Sequence, residues 1–271
     1  MRCTEVSSGE QVACKKIRKE EQTISETEEE FLIIQQLRHE ALIEYLEAYL
    51  TVESYILVMT FVHGSRLFDH VHKMGAHYSE QTVCFYMTQL LQALDYLHLC
   101  AIVHLDVKPE NIMVEECSQR LKLIDFGSAC KLMAATRRIS AVGSAEFASP
   151  EVICKKLITC KSDIWSTGVL LYAFLMGQSP FLDDDEESTC NNIIDADYVF
   201  PDSSEVTDEA RHLISIMLVV EAEKRPGISN ILSHEWMKSP QETKNLDSSL
   251  LKEFTARRDN LVDTLQMLES P

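Results

Sequence analysis

The chain has 271 residues, of which 45% are apolar, and it carries 43 Asp and Glu against 25 Lys and Arg. This length and apolar content suffice for one large domain or for two lobes around a shared cleft. The formal net charge of -18 argues against nucleic acid or an anionic membrane surface as the main partner. No apolar run approaches the roughly 18 residues that a membrane span needs.

The nine cysteines are scattered along the chain and form no C-x-x-C pair. This pattern favours reduced thiols in a cytosolic protein over a disulfide framework or a zinc site. The first ten residues, MRCTEVSSGE, lack the apolar segment of a secretory signal. We therefore expect a cytoplasmic protein.

The first sixty residues or so predict short strands and one helix. Glu10 to Ile17 is typical of a strand and follows the turn signal Ser7-Ser8-Gly9, and Tyr55 to Met59 is a second β-rich run. Thr27 to Leu37 begins with acidic residues, which suit the positive end of a helix. The predicted order is β-β-helix-β-β.

From about Ser79 the pattern becomes helical. Apolar residues repeat at helical spacing from Val83 to Leu97, with Ser79 as the expected N-cap. Ser162 to Met176 and Asp208 to Leu218 predict two further helices. The acidic run Asp183 to Glu187 predicts a solvated loop.

One segment carries the residues of a phosphoryl-transfer site. It runs from His104 to Asn111 (HLDVKPEN) and is followed by Asp125-Phe126-Gly127. In this order, Asp106 would orient an attacking hydroxyl and Lys108 would neutralise charge on the moving phosphoryl group. Asn111 and Asp125 would supply oxygen ligands to Mg²⁺. We interpret His104 and Phe126 as packing residues.

Lys15 lies in Val12-Ala13-Cys14-Lys15, a strand pattern that directs an ammonium group at nucleotide phosphates. Glu30, at the expected helix, is its predicted ion-pair partner. Taken alone, Lys15 is equally well an ordinary surface lysine, and Lys16 stands one position away. The downstream motif favours the catalytic interpretation of Lys15.

These motifs resemble the eukaryotic protein kinases over about residues 3 to 238. Lys108 in the catalytic loop is typical of the serine/threonine kinases. His104-Leu105-Asp106, residues 143–147 (GSAEF) and residues 179–183 (SPFLD) resemble the calcium/calmodulin-dependent group, especially the myosin light chain, titin and obscurin-type kinases and the kinase domains of kalirin and Trio.

This resemblance implies an α+β, bilobal fold with a small β-rich lobe and a larger helical lobe. The expected units are residues 1–62 (small lobe and hinge), 63–238 (large lobe) and 239–271 (a helical tail of regulatory type). The Gly-rich loop that covers ATP phosphates does not occur in the sequence, so the small lobe is expected to lack its first strand, either by nature or because the sequence is a fragment. This loss is expected to weaken ATP binding.

The function implied is transfer of the γ-phosphoryl group of ATP, with Mg²⁺, to protein Ser/Thr hydroxyls. By position, Met59 would be the gatekeeper, and the backbones of Thr60 and Val62 would bind adenine. Ala13 and Met113 would hold the adenine ring between them. Met113 is also compatible with a plain core position.

The resemblance further implies two structural interactions. Glu151 would form an ion pair with Arg225 inside the large lobe, and Asp163 would hold the backbone of the catalytic loop. Leu105 replaces the arginine that commonly receives an activation-loop phosphate, which implies activity independent of such phosphorylation.

Two departures concern partners. Arg66 stands where related kinases often carry a glutamate that binds a substrate arginine, so a preference for basic substrates is not expected. The tail carries Arg257-Arg258, but Asp259-Asn260 replaces the aromatic anchor expected for calmodulin. Leu261, Leu265 and Leu268 are alternative anchors in an acidic context. We favour docking of the tail on the large lobe over calmodulin binding.

A rival function remains open at this point. The missing Gly-rich loop and the altered Leu105 would also fit a catalytically weak pseudokinase or scaffold domain of a larger cytoskeletal or signalling protein. Under that hypothesis the domain acts by binding proteins rather than by transferring phosphate.

Overall fold

The computed structural model describes residues 1–6, 8–19, 30–132, 145–201, 206–240 and 244–268, with only the backbone at Lys244 and at 261–268. The strands are β1 (Arg2–Thr4), β2 (Gln11–Arg18), β3 (Tyr45–Leu50), β4 (Ser54–Thr60), β5 (Gly64–Arg66), β6 (His77–Ser79), β7 (Ile102–Val103), β8 (Ile112–Glu115), β9 (Leu121–Leu123), β10 (Cys130–Lys131) and β11 (Lys244–Asp247).

The helices alternate with these strands in the first half of the chain and dominate the second half. They are α1 (residues 30–34), α2 (Leu67–Met74), α3 (Glu80–Leu99), α4 (Pro150–Ile153), α5 (Cys160–Met176), α6 (Glu186–Asp195), α7 (Asp208–Met217), α8 (Ile228–Leu232), α9 (Glu235–Lys238) and α10 (Ser248–Leu268). Within the described ranges, no helix is both long and apolar enough to cross a membrane.

The small lobe is an antiparallel sheet with one helix against it. Its strand order is β1-β2-β4-β3, and β2 pairs with β4 from Val12 opposite Thr60 to Arg18 opposite Ser54. β-branched and aromatic residues favour this pleated, half-buried surface. The predicted β-β-helix-β-β order is confirmed for the described residues. Of the helix predicted over Thr27 to Leu37, residues 27–29 lie outside the described residues, and α1 ends at residue 34. β1 lies at the edge of this sheet, beside β2.

The large lobe is built around α3 and α5. The hydroxyl oxygen of Ser79 accepts a hydrogen bond from the Thr82 amide, which confirms the predicted N-cap. Residues 162–176 of α5 are all buried, as expected for a helix that is apolar on every side. The domain boundaries at residues 62 and 238 stay predictions.

The prediction of a loop over the acidic run from Asp183 to Glu187 is wrong for its second half. The side chain of Asp185 accepts a hydrogen bond from the Ser188 amide and begins α6, so that Glu186 and Glu187 occupy the first helical turn. Carboxylates are favourable there because they complement the positive end of the helix. The whole run is exposed to solvent, as expected.

The two lobes are joined close to the catalytic segment. The Ile43 amide donates to the Leu123 carbonyl at 3.0 Å, and the Leu123 amide donates to the Ala41 carbonyl at 2.8 Å. Lys122 adds a hydrogen bond from its ammonium to the Glu40 carbonyl at 2.6 Å. These bonds place the end of β9, and hence Asp125, beneath the sheet that carries Lys15.

The C-terminal segment packs on the large lobe. β11 pairs with β6, and the Ser248 amide then donates to the Ala76 carbonyl at 2.9 Å as α10 begins. Leu251 and Phe254 of α10 are buried. Gly177 ends α5 with φ +67°, and a side chain there would lie 2.3 Å from the Leu250 Cβ. Gly177 therefore serves both the turn and the close approach of α10.

A buried ion pair connects α4 to the segment that precedes α8 in the large lobe. Arg225, whose side chain is fully buried, binds the Glu151 carboxylate through both terminal nitrogens at 2.7 and 2.8 Å. Its guanidinium lies 5.0 Å from the Trp165 ring. Burial alone would raise the pKa of Glu151, but the bonds from Arg225 outweigh it and lower that pKa. The predicted ion pair is therefore present.

We expect Arg225→Ala to lower the free energy of unfolding by about 3–5 kcal/mol, because it leaves a buried carboxylate without its partner. Urea titration at pH 7 measures this loss, and Lys224→Ala, at an exposed neighbour, should leave stability unchanged. Since the folded pKa of Glu151 lies below its ordinary 4.5, its contribution is present above pH 4.5 and is lost as pH falls through the folded pKa. An Arg225→Ala protein as stable as the wild type would contradict this interpretation.

Candidate active site

The catalytic loop is held in place by one buried carboxylate. Asp163, near the start of α5, accepts hydrogen bonds from the amides of His104 (3.0 Å) and Leu105 (2.8 Å) and from Nε2 of His98 (2.8 Å). Burial would raise the pKa of Asp163, but these donors, above all His98, lower it, so the carboxylate is charged. The role predicted for Asp163 is supported by these contacts.

Leu105 adopts a strained backbone conformation next to Asp106. Its φ is 64°, in the left-handed region, which costs a residue other than glycine about 1–3 kcal/mol. The bond from the Leu105 amide to Asp163 helps to offset this strain. The consequence is a sharp turn that directs Asp106 out of the loop.

His104 acts as a scaffold in this turn. It is fully buried, its Nδ1 accepts a hydrogen bond from the Asp106 amide at 3.2 Å, and its ring centroid lies 5.0 Å from that of Phe126. Burial lowers the pKa of His104, so the ring is neutral near pH 7. These contacts support the interpretation of His104 and Phe126 as packing residues rather than as a base and its partner.

The Asp106 carboxylate has two partners from its own loop. Lys108 Nζ lies 2.7 Å from Oδ1, and the Asn111 side-chain amide donates to Oδ2 at 2.6 Å and to the Asp106 carbonyl at 2.9 Å. The carboxylate is partly exposed, so a hydroxyl can approach it. Because the Asn111 nitrogen faces Asp106, the Asn111 oxygen is left for a cation.

Lys15 lies between two carboxylates from distant parts of the chain. Its Nζ is 3.0 Å from Glu30 Oε1 and 2.8 Å from Asp125 Oδ1. Burial would lower the pKa of Lys15, but Asp125 and then Glu30 outweigh it and raise that pKa. For Asp125, Lys15 likewise outweighs burial and lowers the pKa. All three elements, β2, α1 and the segment after β9, thus meet at one ammonium group.

The backbone around Asp125 allows this close approach. Asp125 has φ 60°, and its Oδ1 also accepts a hydrogen bond from the Gly127 amide at 3.2 Å. A Cβ at Gly127 would lie 3.1 Å from Lys15 Nζ and 3.3 Å from Asp125 Oδ1. Glycine is therefore the residue that fits at this position without displacing the ion cluster.

Of the five residues predicted to bind adenine, four lie on strands β2, β4 and β8, and the fifth, Val62, follows β4. Ala13 is opposite Met59 in the β2–β4 register, and β4 ends at Thr60, two residues before the buried Val62. Met113 lies on β8 and packs against the core. Their roles toward adenine stay predictions, as does the core alternative for Met113.

One residue beside the ion cluster was missed in the sequence. Tyr45 begins β3 and is buried, and burial followed by the nearby Glu30 and Asp125 raises its pKa well above the ordinary value. Its hydroxyl is therefore protonated and close to the Glu30 carboxylate. Nothing in the local pattern around Tyr45 distinguishes it from a core aromatic residue.

The residues present fit Mg²⁺ and ATP by the chemistry of their donors. Mg²⁺ prefers oxygen ligands and is usually held by one or two carboxylates together with phosphate oxygens, and the Asp125 carboxylate and Asn111 amide are such donors. Lys15 and Lys108 would supply two cations for phosphate oxygens. When bound, Mg²⁺ would neutralise charge on the phosphates.

The fold and the site define a protein kinase domain. The family model "Protein kinase domain" matches residues 1–237, and the chain belongs to this family. The predicted bilobal α+β fold is thereby confirmed.

The chain is similar to myosin light chain kinases. It is 34% identical to human myosin light chain kinase 3 over 95% of the chain and 33% of that protein, and 33% identical to the skeletal/cardiac myosin light chain kinase 2 of Oryctolagus cuniculus over 94% and 44%. The smooth-muscle enzyme of Gallus gallus is 34% identical over 85% and 12%. The chain thus spans a third to less than half of the length of the first two of these relatives.

Asp163→Asn should reduce the turnover number for phosphoryl transfer while leaving ATP affinity unchanged, because Asp163 holds the Asp106 loop and does not contact the Lys15 cluster. An asparagine oxygen replaces only part of the carboxylate, so stability should fall by about 1–3 kcal/mol. Steady-state kinetics and thermal unfolding measure both effects.

The matched control is Asp95→Asn, an exposed position on α3, which should change neither quantity. An equal loss of ATP affinity and turnover in Asp163→Asn would show that Asp163 does not act on the catalytic loop alone.

Proposed function

We propose that this domain transfers the γ-phosphoryl group of Mg-ATP to serine or threonine hydroxyls of proteins. The observation that supports it best is the assembly of two clusters, Lys15 with Glu30 and Asp125, and Asp106 with Lys108 and Asn111. A domain that acts only by binding proteins does not need the hydrogen-bonded side chains of both clusters. We therefore favour an active kinase over the pseudokinase alternative.

Each residue has a distinct role in this proposal. Lys15 would bind phosphate oxygens, and Glu30 keeps its ammonium in place. Asp106 would accept a hydrogen bond from the substrate hydroxyl and orient its oxygen, while Lys108 would stabilise the negative charge on the transferred group. Asn111 and Asp125 would hold Mg²⁺.

The contacts of α10 support docking of the tail on its own domain. Phe254 packs edge-on against Phe68 with centroids 5.5 Å apart, and the Ser248 hydroxyl donates to the Gly75 carbonyl at 2.7 Å. Calmodulin is the less favoured partner of this segment. The side chains of the alternative anchors Leu261, Leu265 and Leu268 lie outside the described residues.

We further propose a cytoplasmic location, with association with the cytoskeleton as a refinement. Its support is the set of nine cysteines, all of them free thiols, and the names of the myosin light chain kinase relatives. The physiological substrate is a protein with an accessible Ser or Thr, and neither nucleic acid nor a membrane is proposed as a partner.

The proposal is tested with Asp106→Asn. Because the variant removes the group that orients the hydroxyl, transfer from radiolabelled ATP to a generic protein substrate should fall by about 10²–10⁴-fold. Mg²⁺-dependent ATP binding should persist, since the Lys15 cluster is intact. Asp197→Asn, an exposed position, is the matched control and should transfer normally.

Wild-type protein that binds ATP without transferring phosphate would favour the scaffold alternative. Transfer that persists in Asp106→Asn would show that another group orients the hydroxyl. Either result would contradict the proposed mechanism.

A further inference from the structure

Arg66 forms a carboxylate-binding site at the edge of the catalytic loop. Its NH1 and NH2 donate to the two oxygens of Asp259 at 2.6 and 2.8 Å, which is the paired geometry that arginine makes with carboxylates. Its Nε donates separately to Asp69 at 3.0 Å. Asp69 thus orients the guanidinium and leaves its two terminal nitrogens for a second carboxylate, which limits the entropy lost when that carboxylate binds.

The neighbouring residues bind the opposite charge. Arg258 of α10 is buried and forms ion pairs with Glu110 and Glu146, and Arg257 binds Glu146 at 2.6 Å. Glu146 is itself almost fully buried, so its carboxylate depends on cationic partners. The large lobe therefore binds α10 through one cationic residue, Arg66, and two anionic residues, Glu110 and Glu146.

These positions lie beside the reacting groups. Arg66, Phe68, Pro109 and Glu110 line one small pocket together with Phe254 and Thr255 of α10. Glu110 belongs to the same turn as Asn111, and Arg66 pairs with Met113 in the β5–β8 register. A protein segment that delivers a hydroxyl to Asp106 would pass close to this pocket, because Pro109 and Glu110 follow Asp106 in the same loop.

We propose that Arg66 is a specificity-determining residue of the protein-substrate groove and that it selects a substrate carboxylate. The preferred substrates would carry an Asp or Glu near the target hydroxyl together with basic residues for Glu110 and Glu146. Asp259, with Arg257 and Arg258, is the intramolecular occupant that has this charge pattern. The proposal rests on the proposed kinase function. From sequence, a preference for basic substrates was not expected, and the proposal adds that an acidic residue near the target hydroxyl is preferred.

A peptide array tests this charge selection. All peptides contain a central serine and two arginines. In each peptide, one other position before or after the serine is changed to Asp or to Lys. The full-length chain is applied to the array, and each spot is assayed twice, once for bound protein and once for phosphate transferred from radiolabelled ATP. The chains compared are the wild type, Arg66→Glu, Asp259→Asn and the control Lys73→Glu, which makes the same charge change at an exposed residue of α2.

For the wild type we expect at least one position where Asp is bound about tenfold better than Lys, as for a charge-assisted hydrogen-bonded pair. Arg66→Glu should reverse the preference at that position, and Lys73→Glu should keep it. Asp259→Asn should strengthen binding of the Asp peptides, because the internal carboxylate no longer competes for Arg66.

The proposal is overturned if no position reverses in Arg66→Glu, if Lys73→Glu reverses the same position, or if no peptide binds any of the chains. A reversal seen in binding but without phosphate transfer would keep the assignment of Arg66 and reject the proposed kinase activity. The two proposals therefore fail in different ways.

Discussion

The ammonium group of Lys15 is the constraint on which the assembled site depends. It binds carboxylates from α1 and from the segment after β9, so a single side chain couples the sheet, the helix and the catalytic region. The side chain of Glu30 is almost fully buried, and a buried carboxylate without a cation would be costly. Displacement of α1 away from the sheet would therefore separate the Glu30 carboxylate from the Lys15 ammonium. The position of this helix thus decides whether the ion cluster is assembled.

A second carboxylate organises the other half of the site. Asp163 holds two successive amides of the catalytic loop and offsets the left-handed backbone of Leu105. The position of Asp106 thus depends on α5 of the large lobe, while the position of Lys15 depends on the sheet of the small lobe. Strained residues of this kind, Leu105 and Asp125, are found where the surrounding structure holds them for function.

Much of the site could be predicted from sequence because its parts are local. Asp106, Lys108 and Asn111 fall on one loop, and their order alone predicts phosphoryl-transfer chemistry. The strand with Lys15 and the Ser79 cap are also short-range signals. By contrast, the contacts of Arg66 with Asp259 and of Arg258 with Glu110 join residues 193 and 148 positions apart, and no local pattern reports such pairs. Tyr45 was missed because a buried hydroxyl beside an ion cluster looks like any core tyrosine in sequence.

The helix over Glu186 and Glu187 was missed for a different reason. A run of acidic residues usually indicates a solvated loop, and here the same carboxylates complement a helix N-terminus. Exposure was therefore predicted correctly while the backbone was not. The ion pairs of the tail could not be predicted from sequence either. The partners of Arg257, Arg258 and Asp259 are identified only by the folded structure.

We propose that Lys15 is the lysine that binds the nucleotide in this site. Titration calorimetry with Mg-ATP on the wild type, Lys15→Met and Lys16→Met tests it most directly, because Lys16 is exposed and one residue away. We expect Lys15→Met to weaken ATP binding by at least about tenfold and Lys16→Met to leave it unchanged. Equal affinities in all three proteins would contradict it.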